Sequence, residues 1–476
     1  MFTFTRSQLR QFRAVLRRAG IGKPSGSRSQ QIVLLAERHH LHLQVCADAV
    51  AVRFTVQSSG EPDPLVLPLE MLHDCEGRAE EPVTFRRDAA GRIVVEWSDR
   101  QIPQRREYDS DPSDDLPGFP ALPEHFAANP PSLWSALADA VRSANRSRSR
   151  FALDCLELRG QSGQIAATDG RQALVQTGFA FPWTEDVLIP ALPVLGCPEL
   201  FCGEPFSIGR TEEWVTLVSG PWSIALRIEK EARFPDISGI IPAQSALRAR
   251  IHLMESDAVF LTTALPRLPA PDALHRPVTV ELNGHVALRG RAIGDAPPTE
   301  LRLSRSRPEG EPLRVQMNRE FLARALQLGF REIGFTGTAS PALCHDGTRQ
   351  FVWALLEPEG AISADPEAVL IESPRTGEKA SSVSPPKKEA GPHRARLSRS
   401  HGRRHDTTAS SSAVHEKPLS NDAPPDPLEV ANSLKEQLRS VLGQVNRLAG
   451  ALKQQRRQRR LVRSTLASLR QLQDVA

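Results

Sequence analysis

The chain has 476 residues, 40% hydrophobic and 24% charged, with 39 prolines and a formal net charge of +4. That length exceeds one ordinary domain, and the proline content predicts long connections or an unfolded segment. No run approaches the roughly 20 apolar residues of a bilayer span, and Met1-Phe2-Thr3-Phe4-Thr5-Arg6 lacks the apolar core of a signal peptide, so a cytoplasmic location is the default expectation.

In chain order, a first helix is predicted over 7–19, with Leu9, Phe12 and Leu16 at helical spacing. Strands follow at 31–36, 41–46 and 50–56, a second helix at 69–75 after Leu65-Val66-Leu67-Pro68, and strands at 83–86 and 93–97. The pattern then recurs. A helix over 132–144 buries Leu133, Leu137, Ala140, Val141 and Ala144, strands run through 151–158 and 163–168, and a second helix is expected near 191–201. A third round has helices near 255–265 and 318–328 and ends in a strand over 349–356. Three alike units at a spacing of about 120 residues, each two helices on strands, predict an α+β architecture.

Residues 373–426, rich in Ser, Pro, Arg, Lys and His, read as disordered, and 427–476 return to a helical period without proline. Residues 361–476 hold 20 Lys/Arg and 12 Asp/Glu, a balance of 20 − 12 = +8, which leaves 4 − 8 = −4 for the first 360. A mildly acidic body meets nucleic acid through a local patch, not through its overall charge.

Chemistry-bearing constellations are absent. Cys46, Cys75, Cys155, Cys197, Cys202 and Cys344 form no CxxC pair and read as small buried hydrophobes in a reducing compartment. His39, His40 and His42 have no second ligand cluster, and no phosphate-binding glycine loop, GxSxG or HExxH occurs. No metal, cofactor or catalytic residue is expected.

Three stretches carry a resemblance. Ile165-Ala166-Ala167-Thr168-Asp169-Gly170-Arg171-Gln172-Ala173-Leu174, Arg233-Phe234-Pro235-Asp236-Ile237-Ser238-Gly239-Ile240-Ile241-Pro242 and Phe119-Pro120-Ala121-Leu122-Pro123 stand in order on the threefold unit. They resemble the ATDG-x-R-L turn and the two interdomain links of the bacterial DNA sliding clamp, the beta subunit of DNA polymerase III. The resemblance spans positions 1–358. It implies three clamp-type domains (1–123, 124–245 and 246–358) with helices lining an inner face and curved sheets outside. A disordered basic linker (359–426) and a coiled-coil-like helix (427–476) would follow. It further implies a head-to-tail homodimer encircling double-stranded DNA without sequence readout, docking DNA polymerase, clamp loader and repair partners, and having no active site of its own.

Within that frame Arg6, Arg10, Arg13 and Arg17 fall at i, i+4, i+7 and i+11 on one side of the first helix and would face phosphates. Arg142 and Arg146, opposite the apolar face of the 132–144 helix, and Lys23 and Arg28 in the Gly22–Arg28 loop join them; Arg319 and Arg324 are the third unit's less regular candidates. An ordinary solvated helix face explains the same charges. The family's partner-peptide pocket, carried over position by position, would comprise Leu153, Thr168, Gly170, Ala173, Pro235, Ile240, Val352 and Ala354. The family has a large aliphatic residue at Ala173 and Met at Ala354, so binding of standard motifs is expected to weaken.

From Leu434 a series Leu434, Leu438, Val441, Val445, Leu448, Leu452 alternates steps of 4 and 3, breaks at Gln455 and Arg459, and resumes at Val462, Leu466 and Leu469. It reads as a self-associating or partner-binding helix, or as an amphipathic helix lying on the body. A clamp-fold scaffold that does not encircle DNA and acts through this segment is the alternative function.

Overall fold

A computed structural model describes residues 1–374 apart from 23–30, 58–63, 110–117, 146–150, 202, 204, 272–274 and 295. The expected linker beyond 374 and the helix over 427–476 lie outside the described residues.

The first part runs β1 (Phe2–Thr5), α1 (Arg6–Ala19), β2 (Gln31–Glu37), β3 (His40–Cys46), β4 (Val50–Gln57), β5 (Leu65–Pro68), α2 (Glu70–Cys75), β6 (Pro82–Arg87), β7 (Ile93–Asp99) and β8 (Ile102–Tyr108). Next come β9 (Phe126–Asn129), α3 (Ser132–Ser143), β10 (Cys155–Arg159), β11 (Gln164–Thr168), β12 (Gln172–Thr177) and β13 (Asp186–Pro190). Two 3-10 turns, Pro193–Gly196 and Pro198–Leu200, precede β14 (Phe206–Arg210), β15 (Trp214–Ser219) and β16 (Trp222–Arg227). The remainder is β17 (Ala249–His252), α4 (Glu255–Ala264), β18 (Pro277–Leu282), β19 (Val286–Gly290), β20 (Thr299–Leu303), β21 (Arg307–Gly310) and β22 (Leu313–Asn318). It closes with α5 (Arg319–Gln327), β23 (Glu332–Phe335), β24 (Ala342–His345), β25 (Arg349–Trp353) and β26 (Val369–Glu372).

The strands form four sheets, ordered β1-β6-β7-β8, β5-β2-β3-β4-β16-β15-β14-β9, β13-β10-β11-β12-β25-β24-β23-β17-β21 and β22-β18-β19-β20-β26. A rule repeats. Each three-strand meander (β2-β3-β4, then β10-β11-β12) passes its last strand to a strand from the next part of the chain. Val50–Phe54 pairs antiparallel with Trp222–Leu226, and Gln172–Gln176 with Arg349–Trp353. Backbone ladders therefore run through both junctions.

The helical elements form a contiguous row. Helix α1 touches α2 and the Pro193–Gly196 turn, that turn packs on α3, and α4 touches α5. Arg324 of α5 meets Asp139 of α3 at 3.0 Å.

Helix α1 shows how the sequence sets this layer. Thr5 and Gln8 form a reciprocal capping box, with Gln8 N donating to Thr5 Oγ1 at 3.2 Å and Thr5 N to Gln8 Oε1 at 2.8 Å. The helix stops at Gly20, whose φ of 81° suits a residue without Cβ, while Ile21 N donates back to Leu16 O at 3.0 Å. Its buried side, Leu9, Phe12, Val15, Leu16 and Ala19, brings Phe12 parallel to Trp222 of β16 at 6.2 Å between centroids. The apolar core is thus shared across the first junction.

Gly310 is fixed by close approach. Its φ is +91°, and a Cβ there would lie 2.0 Å from the Arg248 carbonyl oxygen. Gly310→Ala should cost about 1–3 kcal/mol by forcing the β17–β21 pair apart, read as a lowered midpoint in chemical denaturation.

Two expectations are corrected. The segment near 191–201 is two 3-10 turns, because Pro193 and Pro198 each stand at a turn start and cannot donate in a continuing α-helix. The disordered linker expected over 359–426 is corrected at its start, where 359–360 belong to a 3-10 turn, Pro358–Gly360, and 369–372 form strand β26.

Candidate nucleic-acid interface and partner pocket

The arginine stripe of α1 divides in two. Arg6 and Arg13, two turns apart, face the chain after α2. The Arg6 guanidinium lies 3.2 Å from Glu81 and 2.9 Å from Asp99, and it donates to the carbonyls of Cys75, Glu76 and Ser98, each at 3.2 Å. Its side chain is 11% exposed. Burial alone would weaken its charge, but the hydrogen bonds to Asp99 and Glu81 prevail and raise its pKa. Arg13 pairs with Glu76 and is half-buried. The phosphate-facing role expected of Arg6 is therefore corrected: it is a strut between α1 and the β6–β7 sheet. Arg6→Ala should cost about 2 kcal/mol of stability by stranding its carbonyl and carboxylate partners, measured in urea.

Arg10 and Arg17 share the other line, and both are exposed, as is Arg18, which reaches the Gly196 carbonyl at 3.5 Å. Arg142 near the end of α3 is exposed as well. Lys23, Arg28 and Arg146 lie outside the described residues.

The third unit's candidates are corrected. Arg319, 3% exposed, donates to the carbonyls of Leu265, Leu268, Pro269, Arg276 and Pro277 and so staples the chain after α4 to the start of β18. Arg324, 8% exposed, donates to both the carboxylate and the carbonyl of Asp139 at 3.0 Å. Burial lowers the pKa of both guanidiniums, and Asp139 partly offsets this for Arg324. Charge patterning shows a cation; the buried carbonyls and carboxylate that claim it are set by tertiary structure. Helices α4 and α5 present no exposed arginine, so the exposed basic residues of the row concentrate on α1 and α3.

The ATDG stretch is a turn held by its own side chains. Asp169 accepts from Arg171 N at 2.8 Å and Gln172 N at 3.0 Å, and Thr168 Oγ1 accepts from Gly170 N at 3.0 Å. Gly170 supplies the φ of +88° that this turn demands. The turn sets Ala173 opposite Val352 across the β12–β25 ladder.

Of the pocket residues, the structure brings Leu153 beside Gly170 and places Ala173 and Val352 in one small apolar cluster. That cluster is closed by Phe234 and Ile237 from the link, and Thr168, Ala173 and Val352 are 2%, 0% and 1% exposed. Ile240 is 49% exposed and Ala354 is exposed too, but neither belongs to the cluster. Pro235 instead lines a polar cleft of about 970 Å³, bordered by Glu157, Arg159, Asp186, Lys230 and Asp236. Thr168, Ala173 and Val352 are thus buried, and Ala173 and Val352 share their cluster with Phe234 and Ile237, which the carry-over left out. Their apolar type beside Pro235 was the available signal.

Cys75 and Cys197 are buried, which pushes each thiol up to about 12, away from the reactive thiolate. Cys202 lies outside the described residues. Among the described residues no group of three or more His, Cys, Asp or Glu could hold a metal ion, and no helix is long and apolar enough to cross a membrane.

Repeated meanders passing their last strand across two junctions, backed by one row of helices, define a clamp-type fold. The particular fold is that of the bacterial DNA polymerase III beta subunit, the sliding clamp. The crystal structure of that subunit from Pseudomonas aeruginosa superposes with a TM-score of 0.62 at 16% identity, over 75% of this chain and 99% of that one. The Thermotoga maritima subunit gives 0.61 at 15% identity, and the C. crescentus beta sliding clamp 0.61 at 18%, each over 75% of this chain and 98% of its own. No protein-family model and no curated protein matches the chain.

Proposed function

We propose that this protein is a DNA sliding clamp-like processivity factor: two copies join head to tail around duplex DNA and dock a polymerase, a clamp loader or repair proteins during replication. The supporting observation is the junction rule. Strands β4 and β12 each find an antiparallel partner in the next part of the chain, and the equivalent strands left over are β20 and β8, at the two ends of the series. Joining β20 of one copy to β8 of another would extend the rule, and two copies joined at both ends would close the series. The row of helices would then face the enclosed duplex, with Arg10, Arg17 and Arg142 toward phosphates and no base readout.

The burial of Thr168, Ala173 and Val352, the last two clustered with Phe234 and Ile237, predicts that short linear motifs suited to an open apolar pocket bind weakly, so partner docking would use other surfaces. The test is retention on DNA. Protein assembled on nicked circular DNA should stay bound through a salt wash and be lost when the circle is linearised. Retention indifferent to free ends would refute encirclement and favour a clamp-fold scaffold.

A further inference from the structure

The β20 edge that the junction rule reserves for a second copy is occupied by this chain itself. After β25 the backbone crosses the five-stranded sheet from one side to the other. Leu356 N donates to Gln316 O at 2.8 Å, and Gln316 Nε2 to Gly360 O at 2.6 Å, both on β22. Arg314, also on β22, donates to Ser363 Oγ at 3.0 Å. Over β18, Ile362 N donates to Thr279 Oγ1 at 2.9 Å; just past the end of β19, Arg291 lies 3.6 Å from Asp365. The strap then turns and runs beside β20 as β26. This pairing is parallel, with Thr299 opposite Val369 and Arg302 opposite Glu372, whereas both internal junctions are antiparallel.

A buried latch ends the strap. Ser373 is 2% exposed; its hydroxyl donates to Asp257 Oδ1 at 2.6 Å and accepts from Ser304 N at 2.8 Å, while its carbonyl accepts from Ser304 Oγ at 2.8 Å. Asp257, fully buried on α4, accepts Ser306 Oγ at 2.7 Å with its other oxygen. A chain resting loosely on an open edge would not carry a satisfied buried polar site of this kind. At the opposite end of the series β8 pairs, among the described strands, with β7 alone, and its residues are largely exposed.

We propose that residues 358–373 are a built-in edge cap: β26 holds the place on β20 that β8 of a second copy of this chain would take, so head-to-tail assembly requires β26 to leave. The inference rests on the encirclement reading only for the identity of the competitor. A parallel strand of four residues offers few ladder bonds against the seven-residue β8, so the exchange replaces a short local pairing with a longer intermolecular one.

The experiment uses the full chain and two variants. Ile371→Pro with Ser373→Ala removes a ladder donor and the latch hydroxyl; Thr299→Cys with Val369→Cys, oxidised, locks β26 in place. Analytical ultracentrifugation should find the full chain and the locked variant as single copies of 52.4 kDa, and the released variant at twice that mass, its dissociation constant at least tenfold lower than the full chain's. Adding Arg105→Pro on β8, which removes a backbone donor on the edge facing away from β7, should return the released variant to a single copy. Hydrogen exchange at 369 and 371 reports directly whether β26 is paired. A released variant that stays single, an assembly indifferent to Arg105→Pro, or a full chain that doubles in mass with those amides still protected would each overturn the cap. A released variant that assembles yet is held equally on linear and circular DNA would leave the cap standing and remove encirclement alone.

Discussion

Replacing Arg289 with methionine should lower the unfolding free energy by about 3–5 kcal/mol, the cost of removing one partner from a buried ion cluster. Arg289 on β19 is 1% exposed and lies 2.5 Å from Glu281 and 2.7 Å from Glu300, whose side chains are 10% and 5% exposed. Arg314 holds Glu281 at 2.6 Å and Arg302 holds Glu300 at 2.8 Å, so the cluster alternates in sign across the sheet. Without Arg289 two buried carboxylates would face each other over a methionine. Urea denaturation at pH 7 checks the loss, and a change under about 1 kcal/mol would show the cluster to be dispensable.

The same cluster fixes a pH dependence. Burial alone would raise the pKa of Glu281 and Glu300, but the guanidinium hydrogen bonds prevail and hold both below the usual carboxylate range. A depressed folded pKa contributes stability that is present above the unfolded value, about 4.3 for Glu, and is lost as pH falls through the folded one. The chain should therefore weaken in acid below roughly pH 4.3. Arg289→Met should narrow its deficit there, because its carboxylates are the first to protonate.

Reversing Arg10, Arg17 and Arg142 together to glutamate should abolish salt-resistant DNA binding with little effect on stability, since all three side chains are exposed. If each meets one phosphate, neutralising them lowers the slope of log affinity against log salt by about 2.7, at about 0.9 per contact, and reversal adds repulsion. At about 0.1 M salt the affinity should fall on the order of 100-fold or more. Fluorescence anisotropy across a salt series measures both quantities. Arg13→Ala is the control: its guanidinium is engaged by Glu76, so the slope should hold. An unchanged slope in the triple variant would take α1 and α3 out of the interface.

The helices with sharp periodicity were legible almost to their ends. Leu9, Phe12 and Leu16 mark α1, and its capping box and Gly20 stop are local signals. Residue roles that depend on distant partners were not. Arg6, Arg319 and Arg324 look like solvated cations until Asp99, the carbonyls around Leu268 and Asp139 are brought to them. The strap was missed for a related reason. Val369–Glu372 is short, follows Asp365 and Pro366, and precedes Pro374, so it reads as a linker; its partner strand, Thr299–Leu303, lies far upstream, beyond helix α5 and five strands. That Ala173 and Val352 share a cluster with Phe234 and Ile237 was not legible either, because these residues lie on separate segments of the chain.

The ladders through both junctions also bear on how the chain emerges from the ribosome. Strand β4 ends at Gln57 and its partner β16 begins at Trp222, so the whole stretch between them must be made before the edge is covered. At about 5–20 residues per second the wait is roughly 8–33 s. For that interval Val50-Ala51-Val52-Arg53-Phe54-Thr55-Val56 is a nascent, mostly apolar edge with one charge, Arg53, to discourage pairing with a neighbouring polypeptide. Strand β12, which ends at Thr177, waits in the same way for β25, which begins at Arg349. Soluble yield should therefore depend on translation speed and on holding chaperones more than the native stability alone would indicate.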